Sequence, residues 1–467
     1  MPNPNPFWMT NRLALFPEST RARGDSLFLA GHSLASLADG HLTPLYVYDR
    51  ATLDLAVAEY QSALRTYYPG ESHITYAGKA FLCKAIAAWT QLHGLTVDCT
   101  GEGEIGIAVA GGVPREKILV HGVNKSLADL KSAFRNAGII VVDNLTEINN
   151  VVTTSVVSKR ATDPTEALCG VATTPNLWLR LLPGVAVSTH HSHTQTGQHD
   201  SKFGMTREEI LQAVQIGKSA NEQIGKSANE QIGKSANLPI NGIHFHQGSN
   251  FRDPEPLIPA IDMALDIAKE IGFNGAWHFC PGGGWGVAYH EDELPNPSIE
   301  SYVRGIAEAV VEGCKTHGLD LPILHLEPGR SLVARAGVAI YRVGAIKQRG
   351  DKIWILTDGG MADNPRFALY GARYSCLPVE RLNREVNAKV SIAGPYCESG
   401  DVVIEDLPMP ELKEGELIAI PVAGAYHLSM SSNYNGARRP EVLMVEEGKV
   451  EVMLRRETVD DLLRRDP

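Results

Sequence analysis

Residues 73–80 read HITYAGKA. An apolar run meets a glycine and then Lys79. Lysine is costly to bury and gains little from packing at a strand end, so Lys79 is a candidate reactive amine. A second stretch, CPGGGWG at 280–286, sets Gly282, Gly283 and Gly284 after another apolar run. Alone it reads as a flexible loop, but consecutive glycines also let backbone N–H groups approach an anion. A third, HFHQGSN at 244–250, ends its run with Gly248 and Ser249. Two such loops suggest a phosphate. Neither is a Walker loop or a GxGxxG fingerprint, so ATP and dinucleotides are not indicated. A fourth, LEPGR at 326–330, turns at Pro328 and Gly329 and presents Glu327 and Arg330. By itself this is a salt-bridged turn. Beside a phosphate site, Arg330 can bind an anion bidentately and Glu327 can hold a protonated nitrogen. A lysine, a phosphate cradle and a lone carboxylate together suggest pyridoxal 5′-phosphate. That cofactor takes a lysine as a Schiff base and needs a carboxylate at its pyridine nitrogen. His246 can stack on such a ring.

These residues need a scaffold that brings strand ends together. Eight β-rich runs alternate with helix-like stretches: ITYA 74–77, LTVDC 95–99, KILVHG 117–122, GIIVVDN 138–144, LWLRLL 177–182, GIHFH 242–246, AWHFC 276–280 and PILHLE 322–327. Stretches such as KAIAAWTQLHG carry apolar residues at helical spacing and a glycine stop. The pattern predicts an α/β fold, a (β/α)8 TIM-like barrel over residues 44–330. Lys79, His121, Asn124, Asp143, His246, Ser249, Glu327 and Arg330 then fall at or just past strand C-terminal ends, the rim on which such barrels build active sites. After residue 330, Val/Ile-rich runs bounded by Gly and Pro predict a smaller β-barrel-like domain from 331–467, to which 1–43 contributes. Residues 215–237 repeat QIGKSANE and are placed on the barrel's N-terminal face. Their fourfold Ile/Ala spacing suits a helical stripe, while a glycine in each copy opposes one.

Composition narrows the class. The 467 residues carry 43 Lys and Arg against 54 Asp and Glu, a net charge of −11. That balance argues against nucleic acid. No apolar run reaches membrane-spanning length, and the first residues do not read as a secretory signal. The seven cysteines are scattered, with no CxxC pair. The expectation is a reduced, cytoplasmic chain.

YAGKA, VDCTGEGEI, HGVNKS, TGQHDSKFGM, HFHQGSN, PGGGWG, EPGR, GGMADNPRFALYGA, GPYCESGD and MSSNYN occur in this order along nearly the whole chain. With them the sequence resembles the alanine-racemase-like (fold type III) pyridoxal-phosphate decarboxylases, most specifically those acting on diaminopimelate. The resemblance implies decarboxylation of a small amino-acid substrate. It implies Lys79 as the Schiff-base lysine and His246 stacked on the cofactor. Ser249, Gly282, Gly283, Gly284, Gly329 and Arg330 would serve the phosphate, Glu327 would face the pyridine nitrogen, and Tyr434 would contact cofactor and substrate. The octad repeat is not a family feature, and Gly78 and Phe81 vary the usual lysine motif.

Substrate choice has a physical side. Ornithine and arginine lack a distal carboxylate, whereas meso-diaminopimelate has both an amine and a carboxylate at its far end. PRFALYG offers Arg366 and Tyr370, and CESGD offers Glu398. Arginine suits a carboxylate and glutamate an ammonium. The resemblance implies Arg330, Arg366 and Tyr370 on the distal carboxylate and Glu398 on the distal amine; a surface ion pair is the plainer reading of Arg366. Cys397 alone would be a small buried hydrophobe. The resemblance implies that it acts at the reacting carbon of the partner subunit, hence an obligate homodimer with sites shared at the interface. Two other readings stay open: a decarboxylase for ornithine, arginine or carboxynorspermidine, and a PLP-binding protein without turnover. His190, His191, His193 and His199 lie in THHSHTQTGQHD at 189–200 without a CxxC or HExxH frame, so no metal is expected.

Overall fold

The computed structural model describes residues 7–160, 174–184, 197–198, 200–227 and 238–467. They form two units, one of Glu59–Trp285 with Ser298–Gly329, the other of Met1–Ala58, Gly286–Pro297 and Arg330–Pro467.

In the first unit, eight strands close a parallel barrel. They are β1 (Ser72–Ala77), β2 (Thr96–Cys99), β3 (Ile118–His121), β4 (Ile139–Val142), β5 (Asn176–Arg180), β6 (Ile240–His244), β7 (His278–Cys280) and β8 (Ile323–Leu326). Each pairs with its sequence neighbour, and β8 returns to β1 through Leu326↔Ile74. Every residue of β2, β3 and β4 is buried. Barrel strands are covered on both faces, which is why they read as apolar runs rather than alternating ones. The expected (β/α)8 barrel with a second β domain is therefore met.

The surrounding helices obey local rules. Leu127–Asn136 starts with a capping box between Ser126 and Asp129. Ile258–Ile271 buries Ile261, Ala264, Leu265 and Ala268 at three- and four-residue spacing, and stops at Gly272 with φ +84°. The helix Arg207–Ser227 runs into the octad repeat. Gly217 is tolerated there because a Cβ would sit 2.5 Å from Ile240 Cδ1, so its bareness lets the helix lie close to β6. Asn221, in the same copy, bonds both backbone groups of Leu238, just before β6 begins. Residues 228–237 of the repeat lie outside the described residues, as do the four histidines of the 189–200 stretch.

The second unit centres on a long strand, β9 (Gly337–Arg349), within a nine-stranded sheet. The strand Leu45–Asp49 pairs antiparallel with β9 and parallel with Glu441–Glu446. This corrects the expected boundary at residue 44: the LYVYD run belongs to this sheet and not to the barrel. Residues 286–297 join the same unit, tied by Arg12 Nε to Glu291 Oε1 at 2.7 Å and by Arg373 Nη2 to Asp292 Oδ2 at 2.8 Å. Leu27, Leu29 and Leu34 share a core with Val338, Ile340, Leu377 and Leu443.

Candidate active site

In the barrel unit, β1 runs into a single 3-10 turn, Gly78–Ala80, that carries Lys79. Gly78 is required by the path of the chain. A Cβ there would lie 2.8 Å from the Asp98 carbonyl oxygen, against the neighbouring strand end. Lys79 is exposed. A Cβ on Gly329 would lie 3.1 Å from those of Ala77 and Ala80, so the Pro328–Gly329 turn packs directly against the turn that bears the lysine.

The triple glycine is not a slack loop. A Cβ on Gly283 would lie 1.8 Å from the Glu327 carbonyl oxygen, and one on Gly284 2.2 Å from that of Gly248. Gly282 and Gly284 also hold φ +75° and +104°, a region that disfavours side chains. Gly282 O accepts from Glu327 N at 2.9 Å, and Gly283 N donates to His246 Nδ1 at 3.3 Å. The structure thus joins His246, Gly282, Gly283, Gly284 and Glu327 in one rim patch. Ser249 is half-buried on the β6 loop, next to Gly248.

Beneath that patch lies a buried polar row that sequence reasoning largely missed. His244 Nε2 is 3.1 Å from Glu327 Oε2. The ring of His121 meets that of His244 edge-on at 4.4 Å, and His121 Nδ1 is 3.9 Å from Asp98 Oδ1. Arg180 Nη1 donates to Asp143 Oδ1 at 3.0 Å. The signals were present: an aspartate in LTVDC, an arginine in LWLRLL, and two histidines at alternate positions of HFH, which share one side of a strand. The ligating atoms of His121, His244 and Glu327 lie within 4.8 Å of one another, a cluster the metal-free expectation did not foresee.

Charge in this row is asymmetric. Burial, then the cations Arg180 and Lys79, hold the pKa of His121 well below its ordinary value, and burial with Lys79 and Arg180 does the same to His246. Burial and Glu327 push Asp98 up. For Glu327 burial opposes the charge, but His244 and Lys79 outweigh it and keep the carboxylate below its usual range. His121 and His246 are thus disfavoured as cations beside Lys79 and Arg180, while the Glu327 carboxylate is held charged.

That donor set fits pyridoxal phosphate. The glycine strap packs against the backbone carbonyls of Phe245, Gly248 and Glu327, which leaves no room for side chains there. Glu327 Oε1 is buried with no N–H or O–H donor on it among the described residues, the Cys280 thiol being the weak donor beside the carboxylate, so it can still accept from a protonated ring nitrogen. Lys79 is the exposed amine, close enough that Glu327, Asp98 and His246 all feel its charge.

The second unit holds the remaining expected residues in two groups. Arg330 donates from Nη1 to the Tyr289 hydroxyl and lies over the Tyr426 ring at 4.7 Å. Arg366, on the short helix Arg366–Tyr370, lies over the same Tyr289 ring at 4.6 Å. Both guanidiniums are buried, and Tyr370 is half-buried at the end of the helix. Tyr289 and Tyr374 were not singled out from sequence. The other group is exposed: Cys397, Glu398 and Tyr434, with the Tyr434 hydroxyl 3.5 Å from Glu398 Oε2. Among the described residues no hydrogen bond or ion pair joins Arg366 to Glu398. They are 32 positions apart in sequence, Arg366 on the short helix and Glu398 between the strands Ala388–Ala393 and Val402–Met409.

Residues 54–334 match the pyridoxal-binding domain of the pyridoxal-dependent decarboxylases. The diaminopimelate decarboxylase of Bacillus subtilis (strain 168) is 36% identical over 94% of this chain and 95% of its own. That of Actinosynnema pretiosum subsp. auranticum is 35% identical over 97% and 95%. The crystal structure of the Helicobacter pylori diaminopimelate decarboxylase complexed with L-lysine matches with a TM-score of 0.77 at 29% identity, over 92% of this chain and 98% of that one. The M. jannaschi enzyme matches with a TM-score of 0.83 at 27% identity, over 97% and 98%. The chain belongs to the diaminopimelate decarboxylase family of pyridoxal-dependent decarboxylases.

Proposed function

We propose that this chain decarboxylates meso-2,6-diaminopimelate to L-lysine and carbon dioxide, the last step of lysine biosynthesis, with pyridoxal 5′-phosphate as cofactor. The observation that carries the reading is Glu327: one oxygen held by His244, the other buried with no N–H or O–H donor on it among the described residues, beside a glycine strap and an exposed lysine. When bound, the cofactor supplies an aldehyde that captures amines and a ring that accepts an electron pair.

The chain's own residues do the rest. Lys79 is the amine for that aldehyde. Gly282, Gly283, Gly284, Ser249, Gly329 and Arg330 hold the phosphate, and His246 lies against the ring. Glu327 keeps the ring nitrogen protonated, which is the reason for holding a carboxylate ionised in a buried site. Tyr434 contacts cofactor and substrate. Arg330, Arg366 and Tyr370 take the substrate's distal carboxylate, and Glu398 its distal ammonium. Because the product is L-lysine, the retained carboxylate belongs to the L centre and carbon dioxide leaves the D centre. One proton replaces it there, delivered by the Cys397 thiol, with Lys79 as the other candidate donor.

Cys397 and Glu398 are exposed and unconnected to Arg366 within the chain. That supports a homodimer in which they complete the partner's site. The five other described cysteines are buried free thiols, which supports a reducing, cytoplasmic setting. Among the described residues no helix is long and apolar enough to cross a membrane.

The test is product analysis. Purified protein with pyridoxal phosphate is given meso-diaminopimelate, ornithine or arginine, and products are identified by mass spectrometry. Lysine from diaminopimelate alone is the expected result. A diamine from ornithine, or agmatine from arginine, would overturn the distal-pocket assignment, and no turnover of any of the three would overturn the enzymatic one.

A further inference from the structure

Behind Arg366 the second unit holds a continuous hydrogen-bonded row drawn from four distant segments. Arg366 Nη1 donates to the Tyr374 hydroxyl at 2.5 Å. His427 Nε2 is 2.9 Å from that hydroxyl. His427 Nδ1 is 3.3 Å from the Tyr46 hydroxyl. Tyr46 donates to Asp363 Oδ2 at 2.8 Å, and Tyr341 donates to the same oxygen. Asp363 Oδ1 accepts from Gly360 N at 3.0 Å. Tyr46, Tyr341, Tyr374 and His427 are at most 1% exposed, Asp363 4% and Arg366 7%.

The proton positions follow from the two ends. Arginine can only donate and an ionised carboxylate can only accept. Tyr46 has a single proton and gives it to Asp363, so it must accept from His427 Nδ1–H. His427 Nε2 is then the acceptor, and Tyr374 donates to it while accepting from Arg366. Every link has one available donor and one acceptor. A neutral His427 is required, and burial together with Arg366 holds its pKa well below the ordinary value. Asp363 sits at about 6, raised by burial against the pull of its tyrosine and backbone donors, so it is mostly ionised at neutral pH.

Such a row does something a direct ion pair cannot. A carboxylate in contact with Arg366 would occupy the donors that a ligand needs. Placing the counter-charge three side chains away compensates the buried cation and fixes its plane, while only one of the five guanidinium N–H groups is committed to Tyr374. The Tyr289 ring, 4.6 Å below, supports the flat face. We infer that Tyr374 and His427, anchored through Tyr46 on Asp363, are positioning residues that set Arg366 to recognise the carboxylate retained in the product. This rests on the assignment of Arg366 proposed above.

The experiment compares two inhibitors that differ only in that carboxylate. L-lysine carries it, and cadaverine is L-lysine without it. Inhibition constants for both, with KM and kcat for meso-diaminopimelate, are measured for the wild-type holoenzyme and for Tyr374→Phe, His427→Leu, His427→Gln and Arg366→Ala. Loss of a hydrogen bond to a charged group is worth about tenfold or more in affinity. Tyr374→Phe and His427→Leu should therefore raise the lysine constant and KM about tenfold, with kcat and the cadaverine constant within twofold. His427→Gln, which keeps an acceptor for Tyr374, should recover much of the loss and serves where Tyr374→Phe does not fold. If Arg366→Ala weakens lysine but neither Tyr374→Phe nor His427→Leu does, the inference is wrong. Equal weakening of lysine and cadaverine also overturns it, since that is general damage. If Arg366→Ala leaves lysine binding intact, the underlying assignment of Arg366 fails and the inference with it.

Discussion

Glu327 gives one carboxylate oxygen to His244, at 3.1 Å, and keeps the other buried with no N–H or O–H donor on it among the described residues. The pair decides both the charge and the aim of the carboxylate. His244→Leu would remove the donor and leave a buried carboxylate unsatisfied, which raises its pKa and favours the neutral acid. The neutral acid is a poor partner for a protonated ring nitrogen. We expect His244→Leu to weaken pyridoxal phosphate binding about tenfold and to lower kcat more than KM is raised. His244→Gln retains an N–H and should recover most of the affinity. Cofactor titration by absorbance, alongside steady-state kinetics, checks this. Wild-type behaviour in His244→Leu would show that Glu327 needs no such support.

Lys79 offers a direct chemical test. Borohydride reduction of the holoenzyme should fix the cofactor on the peptide that contains Lys79, detected as a mass increase. Lys79→Ala should lose that adduct, release cofactor on dialysis and lose turnover by at least about a thousandfold, the scale expected when a covalent group is removed. A reduced adduct elsewhere in the chain would remove Lys79 from its assigned role.

The glycine strap can be tested by adding one carbon. Gly283→Ala places a Cβ 1.8 Å from the Glu327 carbonyl oxygen, a backbone atom that cannot rotate away. The rim must shift, at a stability cost of about 1–3 kcal/mol or more, and cofactor affinity should fall with it. Gly103→Ala is the control, because nothing lies within 4 Å of its added Cβ and alanine is the better helix former. Thermal unfolding with and without cofactor separates the two. Equal behaviour of the two variants would mean that the strap yields easily.

Much of this architecture could be read from the chain, and what escaped did so for physical reasons. The runs from ITYA to PILHLE mark all eight barrel strands because strands covered on both faces are locally apolar. LYVYD at 45–49 is just as apolar, yet it pairs with β9 and Glu441–Glu446. Apolarity reports burial and not which sheet supplies it. The strap, Lys79 and LEPGR were legible because each is a local motif with its chemistry in adjacent residues. Tyr46, Asp363, Tyr374 and His427 were not, since each alone is ordinary. Their meaning comes from a convergence across more than 380 positions of sequence, which only tertiary structure creates. Cys280, Cys314 and Cys376 are buried as small hydrophobes, while Cys397 is exposed. A lone cysteine's sequence context could not separate those cases.

Buried histidines make the fold sensitive to acid. Three histidines gather inside the barrel away from Lys79's turn: His73 on β1, His278 on β7 and His325 on β8. His278 Nδ1 is 3.0 Å from His325 Nε2, and the His278 ring stacks on Trp178 at 5.3 Å. Burial, with His73 nearby, lowers His278 from 6.5 to about 4, and burial with His278 holds His325 well below its ordinary value. Both therefore favour the neutral form when folded, while the unfolded chain takes up protons at ordinary pH. Their contribution to stability is complete above pH 6.5 and declines as pH falls toward 4, below which the His278 term is flat. For His278 alone the window is worth about 3 kcal/mol. We expect the melting temperature to fall through that range and the fall to be shallower in His278→Gln, which keeps a partner for His325 without a titrating ring. Buried His121 and His427 and half-buried His246 also have lowered pKa values, so the variant should reduce the slope without abolishing it. An unchanged slope in His278→Gln, measured by thermal unfolding between pH 8 and 4.5, would locate the acid sensitivity elsewhere.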